Sequence, residues 1–390
     1  MKRFFSYIIL SFFLLLLPTG QASANNNDSI RLSLLTCAPG EEIYSLFGHT
    51  AIRYENPSQG IDVVFNYGLF SFNTPNFIFR FSLGETDYQL GATDYERFAA
   101  EYAFFGRSVW QQTLNLTDEE KTELIRLLQE NYRPENRVYR YNFFYDNCAT
   151  RPRDKIEESI AGKVIYPAEP QDGSLTFRDI VHQYCKGHPW ARFGIDLCIG
   201  SEADQPITQR QMMFAPFYLM DAFDGAQIKG DSIQRPLITA NELVVDATPE
   251  PDESDWMPTP LQCSLLLFIL TAAATIYGIR RRTGLWGIDL FLFGIAGIVG
   301  CVLAFLALFS QHPAVSSNFL LLVFHPGQLL FLPYIIYCVR KGKKCWYLTL
   351  NLAVLTLFIV LFPVIPQRFD FAVVPCLLYT SPSPRDRQKS

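Results

Sequence analysis

The sequence predicts an α+β domain that is exported from the cytoplasm and followed by a bundle of four or five transmembrane helices. Three observations predict this class: an N-terminal secretion signal, strand-like and helix-like runs up to about residue 243, and membrane-length apolar runs after Leu261. The 390-residue chain is 49% hydrophobic and carries a net charge of −5. An acidic, exported chain does not have the basic surface of a nucleic-acid-binding protein.

The first 24 residues, "MKRFFSYIILSFFLLLLPTGQASA", have the features of a signal peptide. A basic start is followed by an apolar run and a small-x-small end, which predicts cleavage after Ala24. The alternative is an uncleaved membrane anchor.

Residues 25–243 are predicted to form the exported α+β domain. "HTAIRYE" (49–55) and "IDVVFNYGLF" (61–70) flank the turn-forming "NPSQG", which predicts a β-hairpin. "NFIFRFSL" (76–83) carries Phe at period two and predicts a strand with one aromatic face.

Further along this domain the patterns alternate between helix and strand. Thr117 and Glu120 have capping-box spacing at the start of a helix, and Ser174 is a candidate cap for a later one. The remaining predicted helices cover 94–106, the run after Cys148 to about Gly162, and 209–223, and the remaining predicted strands cover 108–116 and 138–144.

An acidic, proline-containing linker (244–260) leads into the transmembrane region, 261–375. Basic clusters at 280–282 and 340–344 alternate with non-basic loops, so the clusters are predicted to be cytoplasmic. The exported domain is then periplasmic, and the protein is a multi-pass inner-membrane protein. The signal peptide predicts the same orientation independently.

The last segment, "CLLYTSPSPRDRQKS" (376–390), breaks this pattern. It resembles the translation of a transposon-type sequencing-library adaptor, and we expect it to be an artefact of that origin. A genuine basic tail is the alternative.

The nine cysteines show no zinc-ligand spacing, and no cofactor or metal motif is present. An oxidising compartment allows disulfides, and Cys185 and Cys198 flank a segment that a disulfide would close. Cys148 stands apart, because it lies between a strand-like run and a helix-like run.

Cys148 and His49 are candidate catalytic partners. A thiolate is the nucleophilic form of cysteine, and both an adjacent imidazolium and a helix N-terminus lower a thiol pKa. Cys148 directly precedes a predicted helix, and His49 begins a predicted strand. The alternatives are a structural thiol and an unrelated histidine, and His182 and His188 are rival bases.

The predicted hairpin supplies candidates that would orient the imidazole of His49. Asn66 lies on the strand facing that of His49, and Asp62 is the second candidate. Beside the nucleophile, Asn147, Tyr145 and the backbone N–H of Cys148 are candidate donors to an oxyanion or to substrate.

"SLFGHTAIRYE", "FNYGLF" and "YNFFYDNCATRPRD" resemble the bacterial family of the Lnb N-terminal periplasmic domain, over roughly residues 28–230. That family is marked by a histidine and an Asn-Cys-Thr type motif. Ala149 replaces the Thr here, with Thr150 one position later. The transmembrane tail is similar to the version of the family found in Bacteroides-type bacteria.

The order of histidine first and cysteine about a hundred residues later more distantly resembles permuted papain-like enzymes, such as the lecithin:retinol acyltransferase group and NlpC-type peptidases. This resemblance implies an antiparallel sheet bearing the histidine, with the cysteine helix packed against it. It also implies amide or ester hydrolysis, or acyl transfer through a thioester.

We therefore expect a membrane-tethered thiol hydrolase or acyltransferase. Its expected substrates are an envelope lipid, a lipoprotein or a peptidoglycan peptide, and Phe70, Phe72, Phe77, Phe79 and Phe81 are candidates for lining an acyl groove, with ordinary core packing as the alternative role. The opposing hypothesis is a non-catalytic envelope scaffold or binding protein in which Cys148 only packs.

Overall fold

A computed structural model describes residues 30–73, 75–167, 175–230, 234–247, 257–281 and 283–379. The predicted signal peptide, the candidate cap Ser174 and residues 380–390 lie outside the described residues.

The exported domain is built on a seven-stranded antiparallel sheet with the strand order β10-β5-β1-β2-β3-β4-β6, and β7, β8 and β9 form a small second sheet. This confirms the predicted α+β class. The strands are β1 (Arg31–Cys37), β2 (His49–Asn56), β3 (Ile61–Leu69), β4 (Asp87–Asp94), β5 (Val109–Leu114), β6 (Val138–Arg140), β7 (Lys163–Ile165), β8 (Gln227–Lys229), β9 (Gln234–Pro236) and β10 (Ile238–Val245).

Helices cover both faces of this sheet and form the C-terminal region. They are α1 (Phe77–Ser82), α2 (Tyr95–Phe104), α3 (Asp118–Tyr132), α4 (Thr150–Ser159), α5 (Phe177–Tyr184), α6 (Pro189–Cys198), α7 (Gln209–Met212), α8 (Pro216–Asp224), α9 (Pro260–Arg281), α10 (Trp286–Phe309), α11 (Gly327–Leu330), α12 (Leu332–Lys341), α13 (Trp346–Leu361) and α14 (Val373–Tyr379).

The β2–β3 hairpin forms as predicted. A short 3₁₀ turn, Pro57–Gln59, joins the strands, and Gly60 takes the left-handed conformation that closes the turn. Ala51 pairs with Asn66 at one end of the ladder and Asn56 pairs with Ile61 at the other. The register places Asn66 on the same face of the sheet as His49, because side chains alternate along each strand.

The capping box predicted for α3 is present. The Thr117 hydroxyl accepts from the Glu120 N–H at 3.3 Å, and the Glu120 carboxylate accepts from the Thr117 N–H at 2.8 Å. In the later helix α5, Thr176 is the capping residue, with Asp179 completing a second box. The predicted helix over 209–223 is two helices, because Pro216 starts a new one.

The predicted strand over 76–83 is wrong, because this segment forms the short helix α1. An apolar run this short carries no reliable period, and the Phe spacing does not decide between strand and helix. As a helix it stacks Phe77 on Phe81, one turn apart, with ring centroids at 6.1 Å. The side chain of Phe79 is 58% exposed, so the segment does not supply the aromatic face of a buried strand.

The two faces of the large sheet bury separate cores. Leu32, Leu34 and Ile52 pack with the helices α3, α4 and α8 on one face. Leu35, Cys37, Ala51 and Val64 pack with α2 on the other face. The end of the sheet where β1 finishes and β2 begins lies between these cores, and the candidate site is located there.

The C-terminal region contains three helices of spanning length and composition, Pro260–Arg281, Trp286–Phe309 and Trp346–Val364. The pair Phe319–Leu330 and Leu332–Lys341, bent by 70°, also passes this test when taken together and is either a broken span or a re-entrant loop. The short helix α14 follows. The described residues thus contain three or four candidate spans, which confirms the predicted C-terminal transmembrane bundle at the lower end of its expected four or five helices.

The exported domain docks on one end of this bundle. Gly200 and Ser201 donate backbone hydrogen bonds to the carbonyls of Ala314 and Ser317, at 2.6 and 2.9 Å. The Asn318 side chain donates to the Leu197 carbonyl at 2.7 Å. The loop 310–318 leaves the α10 end opposite to the basic 280–282 cluster, so the contacts fit the predicted periplasmic placement.

The predicted disulfide between Cys185 and Cys198 does not form, and both thiols are free. Cys198 is the last residue of α6, a ten-residue helix that begins shortly after Cys185. A helix of that length extends for about 15 Å, whereas a disulfide needs Cα atoms within about 7 Å.

Candidate active site

Cys148 lies in the turn that starts helix α4, and the neighbouring Asn147 builds this turn. The Asn147 side-chain oxygen accepts from the N–H groups of Ala149 and Thr150, at 2.8 and 3.0 Å. The Thr150 hydroxyl accepts in return from the Asn147 N–H at 2.8 Å. This reciprocal cap satisfies the first N–H groups of the helix and places the thiol just before its N-terminus.

The carboxamide of Asn147 is fully used by this loop. Its two N–H bonds go to the carbonyls of Phe143 and Phe214, at 2.8 and 2.9 Å, and the side chain is buried. Asn147 therefore holds the Cys148 turn in place, which differs from the predicted role as a donor to substrate.

A bulge in β3 makes room for the Cys148 side chain. The pairing of β3 with β4 shifts between Asn66 and Leu69, and Gly68 has φ +88° within this shift. A Cβ added at Gly68 would lie 3.5 Å from the Cβ of Cys148. Glycine is favoured here because other residues are strained at this φ, whereas a Cβ at 3.5 Å would make only an ordinary contact with Cys148.

Two backbone groups lie close to the sulfur of Cys148. The N–H groups of Thr50 and of Cys148 itself are near enough to lower the pKa of the thiol. Thr50 directly follows His49 in β2. The fold therefore brings Cys148 to the strand end that carries His49, although almost a hundred residues separate the two in the sequence.

Asn66 contacts the imidazole of His49. The Nε2 atom of His49 lies 3.2 Å from Oδ1 of Asn66, and the Asn66 amide donates weakly to the Val64 carbonyl at 3.4 Å. An amide oxygen accepts only, so this contact selects the tautomer with the proton on Nε2. The Nδ1 atom is then the basic nitrogen of the ring.

Asp62 and Tyr145 lie elsewhere. Asp62 is at the far end of the hairpin, where its two oxygens accept from the Arg53 guanidinium at 2.8 and 2.7 Å. The Tyr145 ring is 45% exposed and packs edge-on against Phe177 at 5.6 Å. From the predicted set, the structure thus places Asn66 on the His49 ring, Asn147 in the Cys148 turn, and that turn beside Thr50, which follows His49. Asp62 and Tyr145 make other contacts.

The rival bases have other partners. His182 lies 2.9 Å from both carboxylate oxygens of the buried Asp196, and His188 lies 3.7 Å from the carboxylate of Glu41. Both histidines follow the helix α4 by more than twenty residues and belong to the helical layer around α5 and α6.

Burial keeps both members of the Cys148–His49 pair neutral at pH 7. It raises the pKa of the Cys148 thiol to about 11, although the N–H groups of Thr50 and Cys148 act in the opposite direction. Burial lowers the pKa of His49 to about 4, against the opposing effect of Asn66, and the Arg107 charge lowers it further. The expected lowering of the thiol pKa is therefore not present in this structure, because desolvation outweighs the effect of the two backbone N–H groups.

Tyr139 is a site residue that sequence reasoning missed. Its hydroxyl is 4.0 Å from the position of a Cβ at Gly68 and hence borders the Cys148 turn. The side chain is only 7% exposed, and among the described residues this oxygen has no hydrogen-bond partner. Burial and the neighbouring Cys148 raise its pKa, so the hydroxyl remains a donor. Its sequence context, "VYRY", indicates only a strand.

A second missed residue is the buried Cys37 on β1, which pairs directly with His49 across the ladder. Burial raises the pKa of its thiol to about 12, the Tyr102 hydroxyl lowers it, and Cys148 is close enough to raise it further.

Within the described part of the chain, no group of three or more His, Cys, Asp or Glu side chains is arranged to hold a metal ion.

The chain matches two protein families in succession. Residues 20–182 match the Lnb N-terminal periplasmic domain, a span that includes His49, Asn66 and Cys148. Residues 252–381 match the Lnb transmembrane domain. The chain belongs to the Lnb family. Searches of curated proteins and of solved structures found no match.

The Lnb architecture agrees with the structure of this member. An Lnb periplasmic domain followed by an Lnb transmembrane domain is an inner-membrane protein whose N-terminal part is periplasmic. The predicted family, fold class and location are therefore confirmed.

In this Lnb-family protein a line of aromatic rings leads from Cys148 toward the membrane. Tyr141 comes within 3.9 Å of the Gly68 Cβ position and stacks on Tyr88, with ring centroids at 4.2 Å. Tyr88 contacts Phe70 at 5.1 Å, and Phe70 stacks on Phe77 of α1 at 5.7 Å. Of the aromatic residues that the sequence singled out, Phe70 lies between the thiol and α1, and Phe77, Phe79 and Phe81 belong to α1 itself.

Helix α1 rests on the periplasmic end of the transmembrane helix α10. The Phe79 ring lies 5.9 Å from that of Phe305. Beyond the end of α10, the His312 ring nitrogen Nε2 is 2.6 Å from the Phe81 carbonyl, and the Gln311 N–H donates to the Leu83 carbonyl at 2.8 Å. The aromatic line therefore begins at the membrane boundary.

Proposed function

We propose that this protein is a membrane-tethered thiol enzyme that transfers or hydrolyses an acyl group of a cell-envelope component, with Cys148 as the nucleophile. The observation that carries the proposal is that Cys148 lies against the backbone of Thr50, the residue after His49, while Asn66 contacts the His49 ring. The line of aromatic rings from the membrane boundary ends at the same place. A nucleophile, a base and a group that orients the base are the components of covalent acyl transfer.

In the first step His49 acts as a general base. Its neutral Nδ1 takes the proton of the Cys148 thiol as the sulfur attacks the carbonyl carbon of an ester or amide, and a C–S bond forms. Collapse of the tetrahedral intermediate breaks the C–O or C–N bond, and the imidazolium returns the proton to the leaving group. The product is an acyl thioester on Cys148.

In the second step the acyl group leaves the enzyme. Water or the amine or hydroxyl of an acceptor attacks the thioester carbonyl, His49 takes the proton of this nucleophile, and the C–S bond breaks. The thiolate then recovers the proton from His49. Because the resting thiol and imidazole are both neutral, the cycle starts and ends in the same protonation state.

The oxyanion that forms in each step needs fixed donors. The N–H groups of Thr50 and Cys148 already lie close to the sulfur, and the buried Tyr139 hydroxyl stands beside them. Donors of this kind stabilise a tetrahedral intermediate by several kcal/mol when water is excluded. Tyr139 takes the role that the sequence suggested for Tyr145 and Asn147.

Among the expected substrates, the structure favours an envelope lipid or a lipoprotein over a peptidoglycan peptide. The aromatic rings that begin beside Cys148 continue through Phe70 and Phe77 to helix α1, which contacts a transmembrane helix. A peptide stem is polar and charged, and its groups would lose their hydration against these rings.

The test is trapping of the acyl thioester. The full-length protein in detergent is incubated with a long-chain p-nitrophenyl ester, and its intact mass is measured before and after hydroxylamine. We expect a hydroxylamine-labile acyl adduct that is lost in Cys148→Ser and formed about a hundredfold more slowly in His49→Ala. Cys198→Ser, which removes a partly exposed thiol elsewhere, is the matched control and should acylate normally.

A non-catalytic role as an envelope scaffold is the second candidate. The observation that favours it is the raised pKa of Cys148, which is typical of a packing thiol. Either of two results would support the scaffold role. One is an acyl adduct that persists in Cys148→Ser, and the other is the absence of any adduct in the wild-type chain with both ester and lipid donors.

A further inference from the structure

A shallow cavity of about 810 Å³, open to the outside, lies between α1 of the periplasmic domain and α10 of the transmembrane domain. Its walls are mostly apolar, and the periplasmic domain supplies Phe72, Phe77, Ile78 and Phe79 with the polar Asn76 and Ser82, whereas the transmembrane domain supplies Phe305. This volume is in the range of sites that hold small ligands. The cavity is separate from the Cys148 turn and needs its own explanation.

The position of Phe305 locates the cavity relative to the bilayer. Phe305 precedes the last residue of α10, Phe309, by four residues, which is about 6 Å along a helix axis. The wall contributed by α10 therefore lies about one turn inside the end of a membrane-spanning helix. The cavity opens at the depth where lipid head groups give way to acyl chains.

The side chains around the cavity are suited to lipid rather than to water. Ile78 and Phe79 expose most of their surface, and Phe72 beside them does the same. An exposed apolar cluster of this size on a periplasmic domain is unfavourable in water but stable at a membrane interface. A lipid contact explains why α1 presents aromatic residues outward.

The cavity is pre-formed, because α1 is fixed to the bundle. Gly84, which follows α1, has φ +70°, and a Cβ there would come within 2.9 Å of the His312 backbone nitrogen. The Gln311 side chain also donates to the Glu85 carboxylate at 3.1 Å. These contacts hold α1 and Phe305 at a constant separation, so a ligand does not have to order the site.

We propose that this cavity binds an acyl chain of a phospholipid from the outer leaflet of the inner membrane. The occupant is an acyl chain because one wall belongs to a spanning helix below its end, where the surrounding medium is hydrocarbon. The aromatic line Phe77, Phe70, Tyr88, Tyr141 connects this cavity to Cys148. The role of the cavity as a donor site rests on the proposed function, whereas lipid binding itself does not depend on Cys148.

The test uses the full-length protein with Cys148→Ser, so that no acyl group is transferred. It is placed in nanodiscs of phosphatidylethanolamine and phosphatidylglycerol that contain a trace of phosphatidylethanolamine with a diazirine in one acyl chain. After illumination, cross-linked peptides are mapped by mass spectrometry. We expect cross-links in the segment 72–82 and around Phe305.

Two substitutions in the cavity should remove these cross-links. Phe79→Asp places a charge in the apolar wall and should lower cross-linking to 72–82 roughly tenfold. Ser82→Trp fills the cavity without adding charge and should have the same effect. Phe104→Asp is the matched control, since Phe104 is also an exposed phenylalanine, 78% accessible at the end of α2, and should leave the cross-links unchanged. A thermal melt verifies that each variant is folded.

Cross-links confined to the outward faces of the spanning helices, or unaffected by both cavity substitutions, would overturn this inference. They would identify annular lipid only. Cross-links at the cavity together with failure to acylate Cys148 would support the lipid site and contradict the proposed enzyme. A third outcome is that cavity cross-links are absent and that Cys148 is acylated equally well in Phe79→Asp and Ser82→Trp. That outcome would support the enzyme and contradict this lipid site.

Discussion

Cys148 and His49 show how burial sets the charge of the two residues that we propose as a catalytic pair. A thiol at a helix N-terminus beside a histidine is expected to ionise readily, but both groups here lie where desolvation dominates. The pKa of the thiol rises to about 11, and that of the imidazole falls to about 4. In the proposed mechanism the proton is therefore transferred during the attack on substrate, and the resting enzyme contains no ion pair of thiolate and imidazolium.

The first prediction concerns the pH dependence of Cys148 alkylation. Only the thiolate reacts, and the folded pKa is about 11, so alkylation of Cys148 by iodoacetamide should rise about tenfold per pH unit between pH 7 and 10. A rate that is already at its plateau at pH 7 would contradict the neutral pair. Peptide mass spectrometry distinguishes Cys148 from the other cysteines.

The pKa of His49 gives a second prediction, which concerns the acyl-transfer rate at acidic pH. The folded pKa of His49 is about 4, below its ordinary 6.5, so the imidazole stays unprotonated and basic as pH falls from 7 to 5. The rate should fall only as the pH drops through about 4, where the protonated ring no longer accepts the thiol proton. A decline centred near pH 6.5 would mean that His49 is not the base.

Tyr139 gives a prediction that separates transition-state binding from stability. In Tyr139→Phe the acylation rate should fall about a hundredfold, because one oxyanion donor is lost. The stability should be unchanged or slightly higher, because the deleted hydroxyl is buried and has no partner among the described residues. Tyr145→Phe is the control, since that ring lies against Phe177, and should change neither quantity.

At the scale of elements, the start of α4 and the bulge of β3 position the site. Asn147 and Thr150 cap the helix reciprocally, and Gly68 lets β3 bend around the Cys148 side chain. Neither feature touches substrate in our proposal. Both are required because a nucleophile must be held within a fraction of an ångström of its productive position.

Asn147→Ala tests the structural role of the cap. The substitution removes two hydrogen bonds to the helix N-terminus and leaves the buried carbonyls of Phe143 and Phe214 without this donor. We expect a loss of about 2 kcal/mol, seen as a lower thermal midpoint of the full-length protein. Asn136→Ala, at an exposed asparagine, should change stability by less than about 0.5 kcal/mol. If Asn147→Ala and Asn136→Ala lowered the stability equally, the cap would contribute no more than an exposed asparagine does.

At the scale of the whole molecule, an ionic cluster joins the periplasmic domain to the bundle. Arg178 is fully buried and donates to Asp196 and Asp204, at 2.6 and 2.9 Å. Arg368, in the loop after α13, reaches the same Asp204 at 2.9 Å and Asp179 at 2.6 Å. This cluster holds the domain against the membrane surface, with α1 at the position where the cavity forms.

Arg368→Ala should weaken this docking. Arg368 is half exposed, so we expect a modest destabilisation of about 1 kcal/mol, smaller than for a fully buried pair. Hydrogen exchange of the full-length protein should show faster exchange in α5 and the 310–318 loop. Arg126→Ala, which breaks an exposed pair with Glu123 on α3, should leave that exchange unchanged. Unchanged exchange in Arg368→Ala would show that the other contacts suffice.

Most of the correct predictions came from local patterns in the sequence. The hairpin, the α3 capping box and the spanning helices are encoded by neighbours within about twenty residues, and the basic clusters indicate orientation without any tertiary information. The segment 76–83 is the exception, because the Phe spacing in so short a run does not decide between strand and helix. Its contact with the end of α10, more than two hundred residues later, is likewise absent from local patterns.

The amino-acid sequence by itself determined the order of the parts: an exported α+β domain, a chain that returns to the membrane, and a histidine and a cysteine at the ends of regular elements. Tertiary structure decided that Asn66 rather than Asp62 contacts His49, that Tyr139 borders the thiol, and that both titrating groups are neutral. Strand register, burial and distance between remote segments are set by the packing of the whole chain, and desolvation exists only once that packing has formed.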